Sequence, residues 1–238
     1  LIVVMAVRHG TEAAVGTPSV DALCPFGAVE TLWTWVTTGA FISKIHASNL
    51  IVGLGLLVSV LVAGNAFCGW ICPATFLYEL NTNVSTWLAR LGFKVGNRRF
   101  DLRLKYAVLG VGLLLSAATG SVLMAAIYPP AIVGRELYYA IALGGFGAGA
   151  AFFVGTLLFD TLVARRGFCR YLCPGGALYS LLGRYRLQRI RRIVENCNDC
   201  AKCNAVCEFG LDPLRDHFGQ ECNNCTACIA VCPTQAMT

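Results

Sequence analysis

Three long stretches of the chain carry almost no polar residue. They run over about 48–67, 106–128 and 138–163, and the first, SNLIVGLGLLVSVLVAGNAF, holds no charge at all. Apolar runs of about twenty residues predict helices that span a bilayer. The fragment LIVVMAV at 1–7 would rise only about 10 Å of the roughly 30 Å needed. It is expected to be the tail of a further span that starts before Leu1, since it lacks the cleavage-site pattern of a signal peptide. Tyr128-Pro129-Pro130 is expected to stop the helix of 106–128. Ala140, Gly144 and Ala148 recur every fourth residue within 138–163, a small-residue stripe that lets helices approach closely in lipid. Between the fragment at 1–7 and the stretch at 48–67, DALCPFGAVETLWTWVTTGAFI (21–42) is rich in Trp and Phe from Pro25 onward and reads as an interfacial helix.

Composition strengthens the membrane reading. The 238 residues are 56% hydrophobic and 13% charged, with a mean hydropathy of +0.63, whereas soluble domains carry about a quarter charged residues. Charge then gives orientation. Residues 68–105 hold Arg90, Lys94, Arg98, Arg99, Arg103 and Lys105 against Glu79 and Asp101, and residues 165–192 hold eight arginines and no acid. Residues 8–47 have only Arg8 and Lys44 as bases. The positive-inside rule therefore expects a multi-pass protein of the cell inner membrane, with everything after Arg165 facing the cytoplasm. Asp160 is expected to pair with Arg165 or Arg166 at the end of its span.

Thirteen cysteines change the picture. An odd number in a membrane chain does not read as a disulfide framework. CNDCAKCNAVC (197–207) and CNNCTACIAVCP (222–233) each follow C-x2-C-x2-C-x3-C, the bacterial two-cluster ferredoxin spacing. Three thiolates of a loop reach three corners of a cubane, and the fourth ligates the other cluster. This assigns Cys197, Cys200, Cys203 and Cys232 to one [4Fe–4S] centre and Cys222, Cys225, Cys228 and Cys207 to a second. Zinc would ask for one C-x2-C pair per half-site instead of two identical quartets. Glu208 stands where proline usually follows the fourth cysteine, while Pro233 is in place. The expected fold is mostly α and integral to the membrane. About four transmembrane helices fall within 1–193, and a dicluster ferredoxin-like domain of small α+β type occupies 194–238. That segment has six acids and two bases, so it is expected to dock on the arginine collar, with Arg189, Arg191 and Arg192 taking part.

Two further pairs, Cys68/Cys72 in CGWICP and Cys169/Cys173 in CRYLCP, each stand four residues apart where an apolar run ends. Proline suits the first helical position, and a cysteine just before it meets the free N–H groups and dipole of the helix start, which favour a thiolate. Four thiols on the cytoplasmic side match the ligand count of one more cluster. A shared cluster, another redox role and ligation of copper by soft thiolates all remain open on spacing alone. Cys24 before Pro25 lacks a partner four residues earlier. Nearby Glu30 and His46 are candidate proton acceptors or quinone contacts.

Together, FCGWICP, FCRYLCPGGA and the two ferredoxin motifs resemble the NapH family of polytopic ferredoxin-type quinol dehydrogenase components, whose pattern is shared by MauN, the C-terminal half of NosR and the CcoG copper reductases. The resemblance implies four membrane helices and electron transfer between quinone and iron–sulfur centres, with Cys68, Cys72, Cys169 and Cys173 as a membrane-proximal redox motif. The expected function is a membrane-bound subunit that relays electrons between the quinone pool and a partner oxidoreductase. A CcoG-like copper reductase or NosR-like maturation factor is the alternative. No nucleotide loop, flavin fingerprint or haem C-x-x-C-H motif appears. The expected partners are other subunits of a membrane redox complex, the lipid bilayer and quinone, with no nucleic acid.

Overall fold

The structure, a computed structural model, describes residues 47–96, 98–119 and 123–238 together with Phe26 and Gly39, and in the first helix it describes side chains from Gly53 onward. The fragment at 1–7, Cys24, Glu30 and His46 lie outside the described residues. The described elements are α1 (Ala47–Ala63), a π-helical turn (Phe67–Ile71), α2 (Pro73–Arg90), α3 (Leu104–Thr119), α4 (Leu123–Ile127), α5 (Pro129–Ala142), α6 (Ala148–Leu162), a second π-helical turn (Phe168–Leu172) and α7 (Pro174–Leu182). The C-terminal part adds short turns with α8 (Lys202–Val206) and α9 (Ala227–Ala230). One unit thus occurs twice: a helix, a π turn, Cys-Pro, and a second helix. Proline sets each restart, standing at the first position of α2, α5 and α7, where its missing N–H is not needed.

The apolar run at 138–163 is not one helix. Leu143–Gly147 interrupts it, with Gly144 at a φ of +66°, and α5 and α6 pack together as a helical hairpin. Ala140, Gly144 and Ala148 therefore do not share one helix face. Close approach is used instead by two other glycines: a Cβ on Gly147 would stand 2.9 Å, and one on Gly149 2.6 Å, from the Glu136 carboxylate, whose other oxygen accepts the Gly147 N–H at 2.6 Å. The prolines after Tyr128 open α5 as well as ending α4. Among the described residues no helix is long and apolar enough to cross a membrane. α1 has 17 residues, α3 has 16 and α6 has 15.

Helix α2 is inside out. Its buried face carries Tyr78, Thr82 and Ser85, while Phe76, Leu80, Val84 and Trp87 on the other face are 45–70% exposed. Both sets recur at helical spacing. The polar face is satisfied by α6, which runs parallel: the Tyr78 and Thr156 hydroxyls are 2.8 Å apart, Asn81 donates to the Leu157 carbonyl at 3.0 Å, and Ser85 donates to Thr161 at 3.2 Å. Polar groups that bond between helices while apolar side chains face outward are the pattern of helices packed in lipid.

The C-terminal segment differs from the expected α+β domain: the described residues contain no strand, only isolated bridges at Arg192–Met237 and Asp212–His217. The reason lies in the cysteine loops. Asp199 and Ala201 in one, and Asn224 and Thr226 in the other, have φ between +50° and +60°. Left-handed residues at such short intervals leave no run long enough for a ladder.

Candidate metal centres

Each π turn closes on its cysteine pair. Cys72 N–H donates to the Phe67 carbonyl at 2.9 Å, and Cys173 N–H to that of Phe168 at 2.8 Å. Single π turns of this kind recur at functional sites. The turn swings the chain so that Cys72 and Cys173 sit extended as the N-caps of α2 and α7, and Cys173 Sγ accepts the Gly176 N–H at 3.5 Å.

The fold brings the two pairs together. Cys68, Cys72, Cys169 and Cys173 line one cavity of about 30 Å³, with Lys105 and Arg166 in its wall. The thiols are close enough to oppose one another's ionisation. The thiolate expected at a helix cap is not the outcome. Burial raises all four thiols, and it outweighs the helix-start N–H groups that act downward on Cys72 and Cys173, so that Cys173 reaches about 11. Four convergent soft donors with two cations behind them suit a cluster of net negative charge. The free space itself holds only a water or two, so these four thiols would hold a cubane only if the cavity widened.

The motif spacing assigns the ferredoxin cysteines to two quartets. Cys207, Cys222, Cys225 and Cys228 line a second cavity of about 460 Å³. Cys203 is influenced by Cys197 and Cys200, while Cys232 packs against an apolar cluster that holds Cys203, Cys222 and Cys228 alike, so its place in the Cys203 quartet rests on the motif spacing. Burial acts upward on Cys232, but the N–H groups of Thr234, Ala236 and Met237 outweigh it and lower the thiol. Repeated left-handed residues two apart turn successive N–H groups toward a common centre, a nest for an anion. For Ala201 and Thr226, which lack the local stabilisation open to Asn and Asp, that conformation costs about 1–3 kcal/mol each. Among the described residues no three side chains converge as ligands of a single metal ion. A cubane does not require it, because its corners hold the thiolates apart.

Thr75, Arg166, Phe209 and Asn223 line both cavities. One layer of side chains therefore separates the C-x3-C-P thiols from the Cys207 quartet.

The C-terminal segment is seated by contacts that the sequence only partly indicates. Lys105 forms a buried ion pair with Glu221, next to Cys222, and donates to Ser180 at 3.0 Å. Tyr106 also donates to Glu221, and Asn65 donates to Ser180 at 2.8 Å and to the Gln220 carbonyl at 3.0 Å. Trp70 donates to the Asn224 carbonyl at 3.0 Å. In the collar, Arg166 pairs with Glu208, the residue that replaces the usual proline, and Arg186 donates to the carbonyls of Cys222 at 3.0 Å and Gly219 at 2.9 Å. Of the three collar arginines expected to dock the segment, Arg192 reaches Asp199 at 2.7 Å. The Arg189 guanidinium instead bonds the carbonyls of Arg184 and Arg186. Arg191 takes part through its backbone, to Thr238. Asp160 has no ion-pair partner among the described residues: it accepts the Phe168 N–H at 2.8 Å and so fixes the start of the second π turn. Lys105 and Asn65 were missed as site residues because each reads as an ordinary polar residue at a helix end.

Residues 45–98 and 146–193 match the 4Fe–4S binding domain family. Both matches fall on the C-x3-C-P units. The methylamine utilization ferredoxin-type protein MauN of Methylorubrum extorquens is 33% identical over 77% of this chain and 59% of its own length. The ferredoxin-type protein NapH of Haemophilus influenzae is 33% identical over 68% of the chain and 55% of its own length. NapH of Escherichia coli is 35% identical over 59% and 46%. The chain thus spans roughly half to three-fifths of these relatives. No solved structure matches.

Proposed function

Given that the chain is a NapH/MauN-like ferredoxin-type 4Fe–4S electron-transfer protein, we propose that it is a membrane subunit passing electrons between the quinone pool and a partner oxidoreductase. The observation that carries this reading is the wall shared by the two cysteine-lined cavities. Iron–sulfur clusters would supply one-electron chemistry at both places. Cys68, Cys72, Cys169 and Cys173 would hold one, Cys207, Cys222, Cys225 and Cys228 a second, and Cys197, Cys200, Cys203 and Cys232 a third. The residues between do the positioning. Asn223 sits beside Cys222 and faces the C-x3-C-P cavity, Arg166 presents its charge to both cavities, and the Lys105–Glu221 pair fixes the C-terminal segment against α3.

A bilayer setting is part of the proposal. The outward apolar face of α2, the apolar exterior of α1 and α3, and the Lys/Arg distribution all favour it. The 17 residues of α1 rise about 26 Å, short of a hydrocarbon core of roughly 30 Å, a mismatch that local thinning absorbs. The quinone site, proposed near Glu30 and His46, lies outside the described residues. Its partner subunits are proposed as iron–sulfur or cytochrome proteins.

The test adds a reduced quinol analogue, duroquinol, to membranes containing the chain and follows the clusters by EPR. Their reduction by quinol supports the reading. Clusters that dithionite reduces but no quinol does, with or without copurified subunits, would sink it.

A further inference from the structure

The eight arginines of 165–192 do not all serve the contacts already described. Arg166, Arg170 and Arg186 are buried, Arg165 donates to Thr86 at 2.7 Å, and Arg192 binds Asp199. Arg184, Arg189 and Arg191 remain exposed, and with Arg186 they line an open groove of about 670 Å³ floored by Ile190 and Phe218. Among the described residues, Asp216 is the only carboxylate on that groove, and its Oδ1 already accepts the Arg192 N–H at 3.1 Å.

Among the described residues, four acids of the C-terminal segment are paired elsewhere. Glu208 is taken by Arg166, Glu221 by Lys105, Asp199 by Arg192 and Asp212 by Arg215. The groove is not a loose collection of surface cations. The carbonyls of Arg184 and Arg186 hold the Arg189 guanidinium at 3.0 and 3.3 Å, which leaves its other N–H groups oriented and available. The segment that carries these arginines also exposes apolar side chains, with Tyr185 76% and Leu187 82% exposed. Planar guanidinium forks match phosphate oxygens, and a basic cluster with apolar neighbours suits the boundary between headgroups and acyl chains.

We propose that this groove seats the phosphate of an anionic phospholipid headgroup, with Tyr185 and Leu187 reaching toward the acyl region. The inference rests on the membrane reading above, and it gives the collar an occupant besides the C-terminal segment. Because Arg186 also grips the Cys222 carbonyl, a lipid held here would brace the cluster loop.

The experiment uses the full chain, purified with its clusters in a mild nonionic detergent and offered equal amounts of phosphatidylglycerol and phosphatidylcholine. Retained lipid is counted by native mass spectrometry. The wild type should retain phosphatidylglycerol preferentially. Arg184→Gln and Arg191→Gln, both at exposed positions, should each weaken that preference about fivefold, and the triple variant with Arg189→Gln should abolish it with iron content unchanged. Equal preference in the variants would overturn the proposal. Loss of retained lipid to millimolar inorganic phosphate, with no preference for phosphatidylglycerol over phosphatidylcholine, would overturn it too, because the groove would then take a free anion. Alkaline carbonate extraction separates this inference from its premise. A chain that carbonate releases, yet which binds phosphatidylglycerol through these arginines, would refute the spanning reading alone. A chain that stays in the membrane but shows no preference would refute the headgroup site alone.

Discussion

Replacing Lys105 with Met should loosen the C-terminal segment from the helical part without touching a cysteine. The Lys105 and Glu221 side chains are 2% and 9% exposed, so removing the ammonium leaves the Glu221 carboxylate buried, with only the neutral donors Tyr106 and Ser180. Breaking a buried pair by deleting one partner costs about 3–5 kcal/mol, because the remaining charge is left uncompensated. Replacing both partners by apolar residues of similar size is often close to neutral. Lys105→Met with Glu221→Leu should therefore recover most of the loss, apart from about 1 kcal/mol for hydrogen bonds no longer made to Glu221. The assay is denaturant unfolding of the cluster-loaded chain in detergent, followed by cluster absorbance and by protease cleavage after residue 193. Little should change between about 0.1 and 0.5 M salt, since screening acts mainly on exposed charges. The argument fails if Lys105→Met is as stable as wild type. It also fails if the double variant is no better than the single one, which would make the Lys105 effect one of packing.

Three other perturbations probe the same architecture. A Cβ at Gly69 would stand 2.9 Å from the Asn223 carbonyl, backbone that cannot swing aside; Gly69→Ala should speed protease cleavage of the 194–238 segment, and unchanged digestion would count against the docked arrangement. Arg166 lines both cavities, so Arg166→Gln should move the potentials of both neighbouring centres to more negative values in an EPR redox titration, because a cation that favours the reduced form is lost; a shift at neither centre contradicts this. His46→Ala and Glu30→Gln should depress quinol oxidation while dithionite still reduces the clusters, and wild-type turnover in both would move the quinone site toward Glu79 and the cytoplasmic face.

Local chemistry was the legible part of the sequence. The eight ferredoxin cysteines declare themselves by spacing, and the paired left-handed residues at 199/201 and 224/226 follow from that repeated motif. The Cys-Pro helix starts at 73 and 174 were readable because proline fixes the first helical position. What periodicity could not tell was where an apolar run turns: LGGFG at 143–147 is as apolar as the helices on either side, and only the glycine conformation at Gly144 divides α5 from α6. The polarity of α2 was hidden for a related reason. A helix that buries Tyr78, Thr82 and Ser85 against α6 has the same period as one that exposes them, so the sequence marked the helix start at Pro73 but not the face that turns inward. The convergence of Cys68, Cys72, Cys169 and Cys173 depends on contacts across a hundred residues of chain. Lys105 showed only a charge at a helix start, with nothing to say that its partner would be Glu221.

The central claim is that the C-x3-C-P thiols hold an iron–sulfur centre beside the ferredoxin quartets. Iron analysis and EPR of the anaerobically purified chain, compared with its Cys68→Ala, Cys169→Ala variant, test it most directly. The account predicts about twelve irons per wild-type chain and about eight in the variant, with loss of one reduced-cluster signal and of its magnetic interaction with a neighbour. Equal iron and identical spectra in the two proteins would contradict it.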